Sequence, residues 1–316
     1  MRLSISTNWN SHQHETADGM LEEICSLGFD TVELGYGLTQ TQADGLEAWI
    51  SSGRIHVSSV HAFCPASIPG RSGPEIFSIA DPIDHARGRR GIRALKATAD
   101  FAASVGARAV VLHAGRVPIY RHIRKLNDLA DAGLLGTPKH EKQIAKIMKK
   151  RDRYVKRYFD TLCESLDEIL PHFEQLGLTL GLENLPTYDA IPNESEMQIL
   201  LDSFQTKALG YWHDIGHGQV RQNMGFIHHA GVVTRFSEKI AGLHIHDVKF
   251  PTSDHLMPPN GTVDFKIFKG LVDSGIPFVL EPSRGSDALS IKTAVRLLSD
   301  LWELNSSERP NPYADS

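Results

Sequence analysis

Cysteine is scarce in this 316-residue sequence: Cys25, Cys64 and Cys163 are far apart and odd in number. That excludes a disulfide framework and a cysteine zinc site, and it fits reduced thiols in a cytosol. No apolar run approaches the roughly 18 residues that span a bilayer, and the opening MRLSISTNWN has neither the basic lead nor the apolar core of a secretion signal. A cytoplasmic protein with no membrane partner is expected. A cationic excess is also lacking, since the formal net charge is -5. A dedicated nucleic-acid binder would carry a basic footprint, because phosphate neutralisation supplies most of its affinity. Internal repeats and low-complexity tracts are absent as well.

What the chain does have is a regular alternation of two patterns. The segments RLSIST, DTVEL, HVSSVH, ARAVVLH, LTLGLE, ALGYWHD, IAGLHIH and PFVLE are short and mostly apolar, as expected of strands buried on both faces. Amphipathic helical segments separate them. MLEEICSLG ends on Gly28 at a C-cap position, and NESEMQILL starts on Asn193 with Glu196 three residues later, a capping box. GIRALKATADFAASVG, DFKIFKGLVDSG and DALSIKTAVRLLSDLWEL read as further helices. Eight such units in about 300 residues predict an α/β fold, a single (β/α)8 TIM barrel over residues 1–305, with 306–316 as a polar C-terminal tail. A doubly wound open sheet fits less well, because NWNSHQHE stands where a glycine-rich phosphate turn would follow the first strand.

Three connections are long: Ala62 to Arg90, Ala114 to about Arg151, and Val248 to Thr262. All three would lie on the face at the C-terminal strand ends, where long ordered loops form walls and lids. The second contains a basic helical insertion at about 116–155; from Arg116 to Arg157 it carries thirteen Lys and Arg against four acids. Within it Ile144, Ile147, Met148, Tyr154, Val155 and Tyr158 punctuate the charges as in a partly packed helix. A solvated face, a homo-oligomer contact, an anionic-substrate rim and a nucleic-acid surface all fit that pattern, with Lys149, Lys150, Arg151 and Arg153 as the docking residues for an acidic partner.

The chemistry lies at the strand ends. In order these are Asn8, Glu33, His61, His113, Glu183, Asp214, His244 and Glu281, and none is apolar. Burying so many polar groups is costly unless something organises them. If the last four strands are neighbours, two Glu, one Asp and one His converge, and a divalent cation is the simplest way to neutralise them.

The motifs VSSVHAF, VVLHAG, LGLENLP, WHDIGHG, GLHIHDVK, HLMPPNGTVDF and VLEPS resemble, in the same order, those of the xylose-isomerase-like barrel superfamily. That group includes ketose 3-epimerases, hydroxypyruvate isomerase, inosose dehydratase and the endonuclease IV type of repair nuclease. The resemblance implies that Glu183, Asp214, His244 and Glu281 bind one divalent ion, Mn, Mg, Co or Zn. It also implies that Glu183 and Glu281 act as the acid/base pair of an isomerase or epimerase on a small sugar, sugar acid or polyol derivative, through an enediolate. His61, His113, His217, His246, Lys249, His255 and Asp189 would then contact substrate or support the ligands. Lys249 stands near the family's substrate-binding arginine, although an ammonium is not a guanidinium fork. Loss of a hydroxyl from the same enediolate would make the protein a lyase or dehydratase. The nuclease alternative draws on His61, His113, His217 and His255 as ligands of further metals, but Ser253 replaces the expected Asp and only GYGLTQ follows Glu33. A carbohydrate partner rather than a nucleic acid is therefore implied. Arg116, Arg121 and Arg124 would be placed to meet a phosphate if the sugar carries one. A barrel kept as a non-enzymatic scaffold is the remaining reading.

Overall fold

A computed structural model describes residues 3–66, 72–304 and 310. Eight parallel strands close into a barrel: β1 Leu3–Ser6, β2 Thr31–Leu34, β3 His56–His61, β4 Ala109–Leu112, β5 Thr179–Glu183, β6 Leu209–Asp214, β7 Ile240–Ile245 and β8 Phe278–Leu280. Consecutive strands are neighbours, and β8 pairs with β1 to close the ring. All eight expected strands are present. Most of the tail lies outside the described residues.

Strand alternation divides the apolar residues into two sets. One residue of each pair faces the surrounding helices: Ile5, Val32, Leu34, Val60, Val110, Leu112, Leu180, Leu182, Leu243, Ile245 and Leu280 belong to that outer core. Inside the ring lies a separate cluster of Ala109, Val111, Trp212 and Val279. The indole fits there because both neighbouring strands offer glycine. A Cβ on Gly181 of β5 would lie 2.9 Å from the Trp212 ring, and one on Gly242 of β7 would lie 2.2 Å from it. Trp212 therefore fills the axis one layer below Asp214.

The basic stretch forms two helices. Tyr120–Asp131 packs on the N-terminal half of a 39-residue helix, Pro138–Leu176, which begins on the Thr137 cap and stops at left-handed Gly177. Its buried side is one stripe: Ile147, Arg151, Tyr158, Leu162, Leu166, Ile169 and Phe173, spaced as a core-facing face requires. The insertion and the barrel helix between β4 and β5 are thus one continuous rod of about 58 Å. Met148 and Tyr154 are exposed, not packed.

One helix differs in kind from expectation. DFKIFKGLVDSG winds as a 3₁₀ helix, Phe265–Ser274. Its buried residues Phe265, Phe268 and Leu271 recur every third position, the spacing that a three-residue turn stacks on one side. No helix among the described residues is long and apolar enough to cross a membrane.

Candidate active site and metal centre

The strand ends deliver their polar side chains to one mouth, and all eight named above are buried. His244 is the hub. Its Nδ1 lies 3.3 Å from Glu183 Oε1, 3.5 Å from Glu281 Oε2 and 3.8 Å from Asp214 Oδ2. On the other side of the ring, Nε2 is 3.1 Å from Glu33 Oε2, and Glu33 also accepts a bond of 2.9 Å from Ser59 Oγ. Glu33 thus accepts from the Nε2–H and turns Nδ1 toward three carboxylates, the arrangement by which an outer carboxylate orients a metal-binding imidazole.

The donor set fits a divalent cation. Ligand atoms of Glu183, Asp214 and His244 lie within 4.8 Å of one another, and Glu281 forms such groups with Asp214 and His246 and with His61 and His244. Two flanking groups are equally close: His61, His113 and Glu183; and His217, His246 and His255. His61 donates Nδ1–H to the Ala62 carbonyl at 3.0 Å, which aims Nε2 at Glu183 Oε2, 3.3 Å away. A lone pair facing a carboxylate at that distance suits the pair to share a metal ion.

Other histidines hold the carboxylates in place. His113 Nε2 donates to Glu183 Oε2 at 3.0 Å, and His246 Nε2 donates to Asp214 Oδ1 at 2.9 Å. His217 donates Nδ1–H to the Asn184 carbonyl at 2.9 Å. His255 has a left-handed backbone, with φ of 54°, an uncommon state for a side-chain-bearing residue. Its N–H donates to His246 Nδ1 at 2.9 Å, and its ring stacks on His246 and brings Nδ1 to 3.8 Å from Glu281.

Charge follows from this packing. Burial by itself would raise the Glu183 pKa, but His113 and His244 outweigh it and hold the carboxyl well below the usual range. Asp214 is lowered in the same way, against its burial, by His217 and His246. Burial works against protonation of His244, yet Glu281, Glu33 and Glu183 push its pKa well above that of free imidazole. His113, similarly buried beside Glu183 and Glu75, rises to about 9. Without a cation, then, protons on histidine neutralise the cluster.

Two expected residues stand apart from it. Asp189 is buried but is engaged by Arg116 at 2.9 Å and by Thr187 Oγ1 at 2.6 Å. Lys249 is exposed on the hairpin formed by Asp247–Lys249 and Ser253–Leu256. Of the arginines considered for phosphate, Arg116 is already paired with Glu75 and Asp189, while Arg121 and Arg124 are exposed. Arg151 is not a docking residue. It is buried, pairs with Glu196 and donates to the Tyr188 and Ala190 carbonyls.

Several contributors carried no sequence signal. Glu75, in the long loop after β3, bridges Arg116 and His113, 2.7 Å and 3.6 Å away. Asn184 clamps β6 by accepting from the Asp214 N–H and donating to its carbonyl. Tyr36 meets His61 edge-on, and burial followed by the Glu281 charge pushes its phenol up to about 12. Asp247 has both oxygens bonded to the backbone N–H groups of Val248, Gly261 and Val263.

Comparison with known proteins agrees with the barrel. The uncharacterized protein MJ1614 of Methanocaldococcus jannaschii is 29% identical over 121 residues, 35% of this chain, and the match spans 41% of that protein's length. A D-tagatose 3-epimerase-like protein superposes with a TM-score of 0.68 at 19% identity, covering 96% of this chain and 98% of its own. The E. coli 3-keto-D-glucoside 4-epimerase YcjR superposes with a TM-score of 0.67 at 16% identity, covering 95% and 99%. Residues 21–301 match the family description of a xylose isomerase-like TIM barrel, and the chain belongs to that family.

Proposed function

We propose that the protein is a metal-dependent isomerase or epimerase of a small sugar, sugar acid or polyol derivative, acting in the cytoplasm. The observation that carries this reading is the two-sided environment of His244, with Glu33 on Nε2 and Glu183, Asp214 and Glu281 around Nδ1. Glu183, Asp214, His244 and Glu281 would hold the ion. A divalent ion bound there would polarise adjacent carbonyl and hydroxyl oxygens and so acidify the C–H between them.

The protein's own groups then move the proton. Glu183 ends β5 and Glu281 directly follows β8, three strands apart around the mouth, so a substrate lying between them meets a carboxylate on each side. Glu183, kept ionised by His113 and His244, is suited to take a carbon-bound proton. Glu281 returns one to the opposite face in an epimerisation; a single carboxylate shuttling the proton between neighbouring carbons gives isomerisation. Loss of a hydroxyl from the same enediolate is the lyase alternative.

A second reading draws on the two flanking histidine groups, which would suit a three-metal phosphodiesterase. It is the weaker one, because Ser253 stands where that reading expects an Asp and only GYGLTQ follows Glu33. Metal analysis separates the two: one ion per chain supports sugar chemistry and three support the nuclease.

The direct test is hydrogen exchange in heavy water, followed by proton NMR with D-tagatose, D-psicose and L-ribulose as trial substrates. Glu183→Gln and Glu281→Gln should each slow exchange by about 10²- to 10⁴-fold, the usual contribution of a positioned acid or base, with unchanged circular dichroism. Undiminished exchange in both variants would remove their assigned roles.

A further inference from the structure

Beside the metal cluster, on the same face of the barrel, lies a cavity of about 210 Å³. Four loops build it: the Tyr120–Asp131 helix supplies Ile123 and Leu126, the segment after β5 supplies Tyr188, and the helix after β6 supplies Val220 and Met224, with Asp254 coming from the hairpin after β7. It adjoins the cluster through the chain itself. Val220 sits one turn beyond His217 on a shared helix, and Asp254 immediately precedes His255.

The walls are mostly apolar, and the Tyr188 wall is fixed. The Tyr188 ring stacks on Phe226 with centroids 4.3 Å apart and planes 4° from parallel, and the Tyr188 carbonyl accepts from buried Arg151. A preformed apolar cavity of this size at the C-terminal face is where a barrel binds part of a ligand. Its lining contains no cation, and its one charged group is the Asp254 carboxylate. A phosphate or carboxylate would meet only repulsion there. A bare sugar ring suits it less well than an apolar ring, since Asn127, Thr187, Thr252 and Asp254 offer a few polar contacts while Ile123, Leu126, Pro186, Val220, Met224 and Phe226 would leave its other hydroxyls without partners.

We infer that this cavity is a second subsite of the active site, and that the substrate is a keto sugar bearing an uncharged, ring-sized apolar substituent, such as an aryl group in glycosidic linkage. The inference rests on the sugar reading for the half of the ligand at the metal; the substituent rests on the cavity alone. The sugar lies in the mouth, and the substituent extends between the insertion helix and the hairpin.

The test compares binding of the phenyl and methyl glycosides of 3-keto-β-D-glucose, in which the substituent at C1 leaves the C3 ketone free, to the metal-loaded protein by calorimetry. The phenyl glycoside should bind about ten- to a hundredfold more tightly, as burial of a ring in an apolar pocket implies. Val220→Phe, filling the cavity from within, and Thr252→Trp, filling it from the rim, should each erase that preference, with metal content and thermal unfolding reporting on the fold. Equal affinity for the two glycosides, no binding of the phenyl glycoside, or a preference surviving in both variants overturns the subsite. The outcomes separate the two claims. Ketose hydrogen exchange without a phenyl preference leaves the sugar chemistry standing and removes the subsite; a phenyl preference without exchange of any ketose does the reverse.

Discussion

Glu33 lies behind His244 and touches none of the three carboxylates around its Nδ1, yet it fixes which nitrogen of that ring faces them. Glu33→Gln should therefore weaken metal binding by about 10- to 100-fold, as loss of an outer carboxylate partner does elsewhere. Competition with a fluorescent chelator measures it, and unchanged affinity would show that the ring is oriented by other contacts. The protons matter in the same way. His244 carries a raised pKa, because Glu281, Glu33 and Glu183 outweigh its burial, so at neutral pH its Nδ1 is occupied by a proton that an ion must displace. Apparent metal affinity should rise as pH increases toward that pKa, and a weakly buffered indicator should record acid release on mixing. A pH-independent affinity would contradict this. The strand-end residues were legible because barrel geometry forces them into one mouth. Glu75 was not, since a loop residue two connections away has no periodicity to mark it.

The segment from Asn184 to Ile191 is the element on which the site's outer wall depends, and three arginines from three other elements secure it. Arg116 bonds Thr187 and Asp189, Arg151 bonds the Tyr188 and Ala190 carbonyls, and Arg221 bonds the Leu185 carbonyl at 2.6 Å. Each buried guanidinium is matched by a glutamate: Glu196 serves Arg151 and Glu194 serves Arg221. Removing Arg151 would strand Glu196 and two carbonyls. Arg151→Met should cost about 3–5 kcal/mol in urea unfolding, and Arg151→Lys should recover little of it, because an ammonium cannot span carboxylate and carbonyls together. The basic insertion therefore acts partly as an internal fastener. The sequence hinted at this: Arg151 stands four residues after Ile147 and seven before Tyr158, on the apolar stripe rather than among the exposed lysines. Composition alone could not show it, since a run of thirteen cations gives no clue to which one faces inward. The capping box at Asn193 and Glu196 was readable, but the second role of Glu196 toward Arg151 needs the three-dimensional contact.

At the scale of the whole molecule, eight strands were readable from alternation and length, and the family match and superpositions agree with the closed ring. The exception at Phe265–Ser274 came from reading a three-residue apolar spacing as an ordinary helix. What holds the ring interior together was hidden in two glycines whose purpose appears only when Trp212 lies between them. Gly242→Ala would place a methyl group 2.2 Å from the indole, and the resulting overpacking should destabilise the barrel by about 1–3 kcal/mol. Adding Trp212→Leu should return part of that loss in a double-mutant cycle; strictly additive effects would show that the clash is relieved elsewhere. The same indole stoppers the tube beneath the carboxylates. On the proposed reading, whatever reaches the carboxylates therefore enters from the top of the barrel and leaves by that same side.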